Sequence, residues 1–292
     1  MITIMGASGA TGGATLRSLT AQGVPVRALS RDPGRLSAGL DGRTRPLVEP
    51  VAADAEDPES LRDALKGTRQ LFLTMANGPR QVDHELLAVD LAVQAGVEHI
   101  VKVSAPAAEP DSPVAVSRGH HLIEQRLRTH GVTATVLRPY AFMQKLLLLA
   151  PGIAAAGLIH GAMGTARCNY VDCRDIGDVA AAVLTRPEVA GGSIPLTGGR
   201  AYSYPELVGL LGALLGRPVA YVDLPPGELR AHLVARAGMP DWLAAHVVEI
   251  QRLAVERPEA PDDAATRLIG RSPRTLEAFL QEHLDRFRHP LR

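Results

Sequence analysis

Short apolar runs alternate with longer segments of helical periodicity through the first half of the chain. The first run, Ile2–Met5, predicts a strand, and the residues from Ala10 to about Gln22 predict an amphipathic helix. Later strands are predicted at 24–30, 45–54, 70–74, 99–104 and 132–137, and helices at 58–65, 82–94 and 119–129. Strands that alternate with helices in this way favour right-handed crossovers and a parallel sheet covered on both faces. The expected class is therefore α/β.

The second half of the chain has shorter elements, which are punctuated by proline and glycine. Helices are predicted at 175–184 and 204–215, the second capped by Ser203, and short strands at 193–196 and 219–222. From Pro225 onward the pattern is mostly helical, and the acidic stretch 259–263 is expected to form a solvated loop. These elements are typical of a small lobe beside the main sheet.

Three glycines stand between the first strand and the first helix. Gly6, Gly9 and Gly12 allow the backbone to approach a ligand closely, and the helix that follows them presents unpaired amide N–H groups and the positive end of its dipole. A strand, a glycine turn and a helix in this order form a phosphate-binding device. A tight turn without a ligand explains one glycine readily, but it explains this spacing poorly. We therefore expect a dinucleotide site at the start of the chain.

The end of the second predicted strand indicates which dinucleotide binds. In such folds this position reads the adenosine ribose: an acidic residue bonds the 2′-hydroxyl, whereas an arginine accommodates a 2′-phosphate. Arg31 therefore favours NADP over NAD, although Asp32 beside it is a competing acidic side chain and a plain surface arginine is the alternative. Asp54, after the third strand, either hydrogen-bonds near the adenine or belongs to a solvated loop.

The ends of the fourth and fifth strands are expected to line the crevice at the carboxyl edge of the sheet. They carry Thr74, Met75 and Ala76, and then Ser104 and Ala105. Ser104 is a candidate for orienting a carbonyl group or the nicotinamide ribose. The alternative is a hydroxyl that caps its own turn.

The sequence lacks the Tyr-x-x-x-Lys pair that a short-chain reductase uses to relay a proton, because none of its lysines, Lys66, Lys102 and Lys145, follows a tyrosine by four residues. The corresponding helix contains His120, one turn before Glu124 on the same face. That spacing would orient the imidazole and raise its pKa. His120 is thus a candidate cofactor contact, a candidate general acid, or the cap of a surface helix.

Composition narrows the function classes. The 31 basic and 31 acidic side chains balance, so no strong field favours nucleic acid or an anionic membrane, and aromatic residues make up only 3% of the chain. The cysteines, Cys168 and Cys173, are expected to be small buried residues rather than metal ligands. The longest apolar stretch, 146–159, is interrupted and too short to span a bilayer. We expect a cytoplasmic protein without a metal site.

Motifs that resemble one family are spread over nearly the whole chain. They are, in order, Gly6-Ala7-Ser8-Gly9-Ala10-Thr11-Gly12, Ser30-Arg31-Asp32-Pro33, His120…Glu124…Gly131-Val132…Leu137-Arg138-Pro139, Tyr170-Val171-Asp172…Arg174-Asp175-Ile176, and Leu196-Thr197-Gly198 before Tyr204-Pro205-Glu206-Leu207. In this order they resemble the atypical short-chain dehydrogenases/reductases of the NmrA-like group. The most similar subgroup contains triphenylmethane reductase and the NAD(P)H:quinone oxidoreductase-like proteins.

The resemblance implies a Rossmann doubly wound parallel sheet in an NAD(P)-binding domain of residues 1–150, with sheet contributions from about 165–200, and a smaller C-terminal α/β substrate-binding lobe of residues 151–292. It also implies NADP(H) bound along the glycine turn, with Arg31 at the 2′-phosphate. Thr74 and Met75 would flank the adenosine ribose, and Ser104 and Ala105 would approach the nicotinamide. The residues expected to hold the pyrophosphate are Gly6, Ser8, Gly9, Ala10, Thr11 and Gly12.

Two departures from the family pattern affect the expected chemistry. His120 stands where many relatives have a lysine, and Tyr140 follows Arg138-Pro139 in place of asparagine or glycine. Tyr140 is either a proton donor beside the nicotinamide or a wall of the substrate pocket. The residues expected to line that pocket are Ala76, Tyr140, Phe142, Met143 and 156–160.

We therefore expect an NADPH-dependent oxidoreductase, acting as a monomer or homodimer, that transfers hydride to a quinone or another conjugated small molecule. The catalytic candidates are His120, Tyr140 and Ser104. One alternative is a non-catalytic NADP(H)-binding redox sensor that binds a protein partner. Another is a biosynthetic tailoring reductase or isomerase on the same scaffold.

Overall fold

The structure, a computed structural model, describes residues 1–289. The strands are β1 (Ile2–Met5), β2 (Val26–Ser30), β3 (Val48–Ala52), β4 (Gln70–Leu73), β5 (His99–Val103), β6 (Thr133–Pro139), β7 (Ala141–Phe142), β8 (Leu158–Gly161), β9 (Arg167–Val171), β10 (Gly192–Leu196), β11 (Ala201–Ser203) and β12 (Ala220–Asp223). The helices are α1 (Ala10–Ala21), α2 (Pro33–Ala38), α3 (Pro58–Ala64), α4 (Gln81–Gln94), α5 (Ala115–His130), α6 (Ala150–Ala156), α7 (Cys173–Thr185), α8 (Tyr204–Leu215), α9 (Pro226–Ala237), α10 (Asp241–Glu256), α11 (Ala264–Ile269), α12 (Leu276–Glu282) and α13 (Leu284–Arg288).

The main sheet has seven strands in the order β10-β6-β5-β4-β1-β2-β3, and every neighbouring pair is parallel. Helices cover both faces, so the expected doubly wound α/β fold is confirmed. The chain runs outward from β1 through β2 to β3 and then returns to β4 on the other side of β1. This reversal lies between β1 and β4, where the carboxyl ends of parallel strands leave a crevice for a ligand.

Close helix packing fixes α1 against the sheet. A Cβ atom added at Gly177 in α7 would lie 2.6 Å from the backbone of Ala14 in α1, so these helices meet at a distance that only glycine permits. On the opposite face, α5 presses against α4, where a Cβ at Gly119 would lie 2.7 Å from Val82 Cγ2. This second contact determines where the next residue, His120, lies.

A smaller part of the chain packs around its own hydrophobic cluster. Strands β11, β9 and β7 form a three-stranded sheet, and β12 pairs with β8. The cluster includes Ile153, Leu207 and Phe279, all almost fully buried. Since β10 and α7 belong to the layers of the main sheet, the chain returns to that sheet after first entering the smaller part. The domain boundary near residue 150 stays a prediction.

Several element boundaries differ from the sequence-based expectation. Helix α5 begins at Ala115, four residues before the expected Gly119. The pattern of the sequence also did not indicate α2, α6 or the strands β7, β8, β9 and β11. Most of these are very short, and periodicity in so few residues is a weak signal. No helix within residues 1–289 combines the length and the apolar character needed to cross a membrane.

The acidic stretch 259–263 is only partly the solvated loop that was expected. Asp262 and Asp263 are exposed, but Glu259 is half-buried and accepts a hydrogen bond from the backbone N–H of Asn169 at 2.6 Å. Burial raises the pKa of Glu259 to about 7, although the Asn169 N–H opposes that shift. The expectation was wrong here because the contact with Asn169 is made across 90 residues of sequence.

Replacement of Glu259 by glutamine should remove a pH dependence of stability. The folded-state pKa of about 7 lies above the ordinary value of 4.5, so ionisation opposes folding, and the wild-type protein loses stability as pH rises from about 4.5 to about 7. The Glu259→Gln variant keeps an oxygen for Asn169 N–H. As pH rises from 5 to 8, the free energy of unfolding of the variant should increase relative to that of the wild type by about 1–3 kcal/mol. Urea denaturation across this range measures the difference.

Exposed Glu228 on α9 supplies the matched control, and the Glu228→Gln variant should follow the wild-type pH dependence. A Glu259→Gln variant that does the same would show that Glu259 titrates normally in the folded protein.

Candidate functional site

The glycine turn after β1 is built on contacts that exclude side chains. Gly6 has a φ of +81°, and a Cβ there would lie 2.3 Å from the carbonyl oxygen of Thr74 at the end of β4. A Cβ at Gly12 would lie 2.1 Å from the carbonyl oxygen of Gly6. Both positions therefore require glycine, and the turn sits at the point where the strand order reverses.

The N-terminus of α1 is open to an anion. Its N-cap, Gly9, has no side chain to accept a hydrogen bond, and within residues 1–289 the N–H groups of Ala10, Thr11 and Gly12 have no protein acceptor. Phosphate oxygens fit such a helix end, because the amides and the helix dipole both favour negative charge. Thr11 is buried, and its hydroxyl donates toward Cys173 Sγ at 3.7 Å. Ser8 is exposed beside the turn.

Arg31 is exposed after the end of β2, and no carboxylate of the described residues lies within ion-pair distance of it. The Asp32 carboxylate caps α2, where one of its oxygens accepts the N–H of Arg35 at 2.9 Å. Asp54 is half-buried, and its carboxylate accepts the N–H of Glu56 within its own loop. The guanidinium of Arg31 thus remains available for a 2′-phosphate.

The carboxyl ends of β5 and β6 hold a buried carboxylate between two donors. Glu124 of α5 accepts the hydroxyl of Ser104 at 2.7 Å, and the guanidinium of Arg138 binds both of its oxygens at 3.1 and 2.5 Å. Ser104 therefore does not cap its own turn, and its hydroxyl oxygen remains as an acceptor. Ala105, directly after Ser104, is half-buried.

His120 does not pair with Glu124, contrary to the expectation from their spacing. Its Nδ1 atom lies 3.2 Å from Nζ of Lys102, which also pairs with Glu85 at 2.7 Å. Burial, the Lys102 ammonium and His246 hold the pKa of His120 well below its usual range. The expected rise in pKa was therefore wrong, because Arg138 occupies the Glu124 carboxylate. His120 is also buried, so it does not cap a surface helix.

Helix α10 contributes a histidine that sequence reasoning missed. His246 lies near enough to His120 to lower the pKa of its imidazole. Its Nε2 atom is 3.4 Å from Asn77 Nδ2, and its Nδ1 atom is buried without a hydrogen-bond partner among the described residues. Glu249, one turn later, accepts the N–H of Ala115 at 2.9 Å and anchors α10 to the start of α5. Nothing local to residues 241–256 signals this arrangement.

Tyr140 follows β6, and its backbone N–H donates to the carbonyl of Leu196 at 3.0 Å. Burial, then Glu259 and Asp262, raise the pKa of its phenol, so no lysine activates it as in a Tyr-x-x-x-Lys pair. Phe142 is half-buried and packs against the core of the main sheet. Their assignment as pocket residues stays a prediction.

Met143 is buried in the smaller part and borders a cavity of about 450 Å³ together with Tyr170 and Tyr202. None of the predicted cofactor residues lines this cavity. At the carboxyl edge, Thr74 and Met75 are half-buried and Ala76 is exposed. The structure thus brings together the glycine turn with Thr74, and Ser104 with the helix that carries His120. Individual roles of these residues stay predictions.

The family model of the NmrA-like family matches residues 1–280. An NAD(P)H azoreductase from Xenophilus azovorans is 32% identical over 293 residues, which cover 98% of this chain and 99% of that protein. A (4-alkanoyl-5-oxo-2,5-dihydrofuran-3-yl)methyl phosphate reductase from Streptomyces griseus is 35% identical over 289 residues, again covering 98% and 99%.

A crystal structure of an NADPH-dependent quinone oxidoreductase from Escherichia coli, complexed with NADPH, superposes with a TM-score of 0.87 at 26% identity. The superposition covers 98% of this chain and 100% of that one. The match of sequence, fold and glycine turn confirms the resemblance drawn from the motifs. This chain belongs to the NmrA-like family.

Proposed function

We propose that this protein is an NADPH-dependent reductase that transfers hydride to a quinone or another conjugated small molecule. The observation that carries the proposal is the uncapped helix end behind Gly6 and Gly12, at the reversal of the strand order. Arg31, after β2, adds to it, since it pairs with no carboxylate among residues 1–289. Related proteins support the acceptor class. They are named for an azo group, a quinone and a dihydrofuranone, and in each of these the reducible bond belongs to a conjugated system.

The glycine turn and α1 bind the pyrophosphate through the amides of Ala10, Thr11 and Gly12, and no side chain competes for them. Arg31 binds the 2′-phosphate through charge-assisted hydrogen bonds. Ser104, held by Glu124, orients the nicotinamide ribose. NADPH, when bound, supplies a hydride ion, and the reduced acceptor takes up one further proton.

Proton supply does not require a dedicated acid. The oxyanions formed from a quinone are stable enough for water to protonate them, which fits the absence of Tyr-x-x-x-Lys. The Tyr140 phenol stays neutral because its pKa is raised, and it remains available as an O–H donor at the pocket wall. We assign a reducing, cytoplasmic compartment, because the sequence has only two cysteines and such compartments keep thiols reduced.

Oxidation of NADPH by the purified protein in the presence of quinones, azo dyes and enones tests the proposal. We expect turnover with at least one of these classes, measured as the loss of absorbance of the reduced nicotinamide.

The His120→Ala variant should keep its fold, as measured by circular dichroism, and should lose turnover, because we place the imidazole in the proposed cleft.

Binding of NADPH without oxidation by any acceptor in the panel would contradict the enzyme and favour the redox sensor. Unchanged turnover in the His120→Ala variant would show that the imidazole takes no part in the reaction.

The Arg31→Ala variant should discriminate between the two nicotinamide cofactors. Loss of a charge-assisted pair to the 2′-phosphate should weaken NADPH binding by about 2–3 kcal/mol. The affinity for NADH, which has no phosphate at that position, should stay unchanged. Calorimetric titration of both cofactors measures the two affinities.

Arg236→Ala, at an exposed arginine of α9 outside the proposed cofactor residues, should leave both affinities as they are. Equal losses for NADPH and NADH in Arg31→Ala would refute the assignment of Arg31 to the phosphate.

A further inference from the structure

Strand β5, an inner strand of the seven-stranded sheet, carries a lysine in the interior of the protein. Lys102 and its partner Glu85 on α4 are both fully buried, with Nζ and the carboxylate 2.7 Å apart. Such a pair adds little net stability, because removing two charges from water offsets their attraction, and apolar side chains of similar volume serve a core equally well. The pair therefore calls for an explanation other than stability.

The hydrogen bonds of Lys102 determine which ring nitrogen of His120 carries a proton. An ammonium group has three donors and no acceptor. The partners of Nζ are the Glu85 carboxylate, the carbonyl oxygen of Val103 and Nδ1 of His120, the last at 3.2 Å. Since the ammonium can only donate, Nδ1 of His120 must accept. A neutral imidazole has a single N–H, which then resides on Nε2.

We propose that Lys102, held in place by Glu85, is a positioning residue that fixes His120 as a neutral imidazole with its proton on Nε2. Protonation of Nδ1 would set an N–H against the ammonium in the protein interior. His120 is thus a hydrogen-bond donor and does not cycle through the imidazolium form.

The other charged groups around His120 agree with this assignment. Glu124, one turn along α5, is paired with Arg138 of β6 at 2.5 Å and lies 3.7 Å from Arg128, so cations balance its charge. From α10, His246 presents a second imidazole, and its pKa is itself lowered by burial. From α4, the Glu85 carboxylate is paired with Lys102 at 2.7 Å. Burial and the Lys102 charge both lower the pKa of His120.

The consequence for the reaction rests on the proposed function. A fixed N–H that is not ionised stabilises negative charge developing on an acceptor oxygen, and it does so without a change of protonation at physiological pH. The tautomer itself is a property of the protein without cofactor, so it can be tested independently of any activity.

Nitrogen-15 NMR of the full-length protein labelled at histidine distinguishes the two tautomers. A His120→Gln variant assigns the signals. In the wild-type protein we expect His120 to carry its proton on Nε2 and to show no titration between pH 5 and pH 8. A proton on Nδ1, or an imidazolium that forms within this range, would overturn the proposal.

The double variant Glu85→Gln/Lys102→Met removes the ammonium without leaving a buried unpaired charge, and it keeps an amide oxygen for Gln81 Nε2, which bonds Glu85 in the wild type. In this variant the Nε2 preference should be lost and the pKa of His120 should rise, although burial still holds it below its usual range. An unchanged tautomer and pKa would show that Lys102 is only structural. Lys66→Met, at an exposed lysine, should match the wild type. If the double variant does not fold, the tautomer of His120 in the wild-type protein, measured by nitrogen-15 NMR, alone tests the proposal.

Discussion

The lack of side chains at Gly6 and Gly12 is the constraint on which the rest of this structure depends. At Gly12 the helix α1 approaches the Gly6 carbonyl so closely that a methyl group would lie 2.1 Å from it, and at Gly6 the turn makes the same demand against the end of β4. These contacts hold β1, β4 and α1 in one arrangement at the reversal of the strand order. The uncapped amides of α1 therefore face the crevice in which a dinucleotide binds in this class of fold.

The buried charges around the crevice are arranged in pairs that leave specific groups available. Arg138 neutralises Glu124, and Glu124 in turn holds Ser104. Glu85 neutralises Lys102, and Lys102 in turn holds His120. In each case an ion pair outside the reaction fixes a neutral side chain near the proposed reaction site. A proton relay through an activated tyrosine has no counterpart in this arrangement, which suits acceptors whose reduced forms are stable anions.

The fold and the glycine turn after β1 were predictable because their signals are local. Glycine spacing, the cap Ser203, and the alternation of strands and helices each lie within a few residues, and the structure confirms the cap and the parallel sheet. The remainder depends on contacts between distant segments. Nothing near Lys102 signals that it meets His120, and His246 comes near His120 from a helix more than a hundred residues further along the chain. The pairing of His120 with Glu124 failed as a prediction because Arg138, on another element, binds the carboxylate more strongly.

The fate of deuterium in stereospecifically labelled NADPH tests the central claim most directly. The protein is incubated with a quinone and with NADPH that carries deuterium on one or the other face of C4, and the NADP⁺ formed is analysed by mass spectrometry. A cleft that positions the nicotinamide for hydride transfer predicts that deuterium is removed from one of the two labelled cofactors and fully retained in the other. Loss from both alike, or no NADP⁺ at all despite binding, would contradict the account.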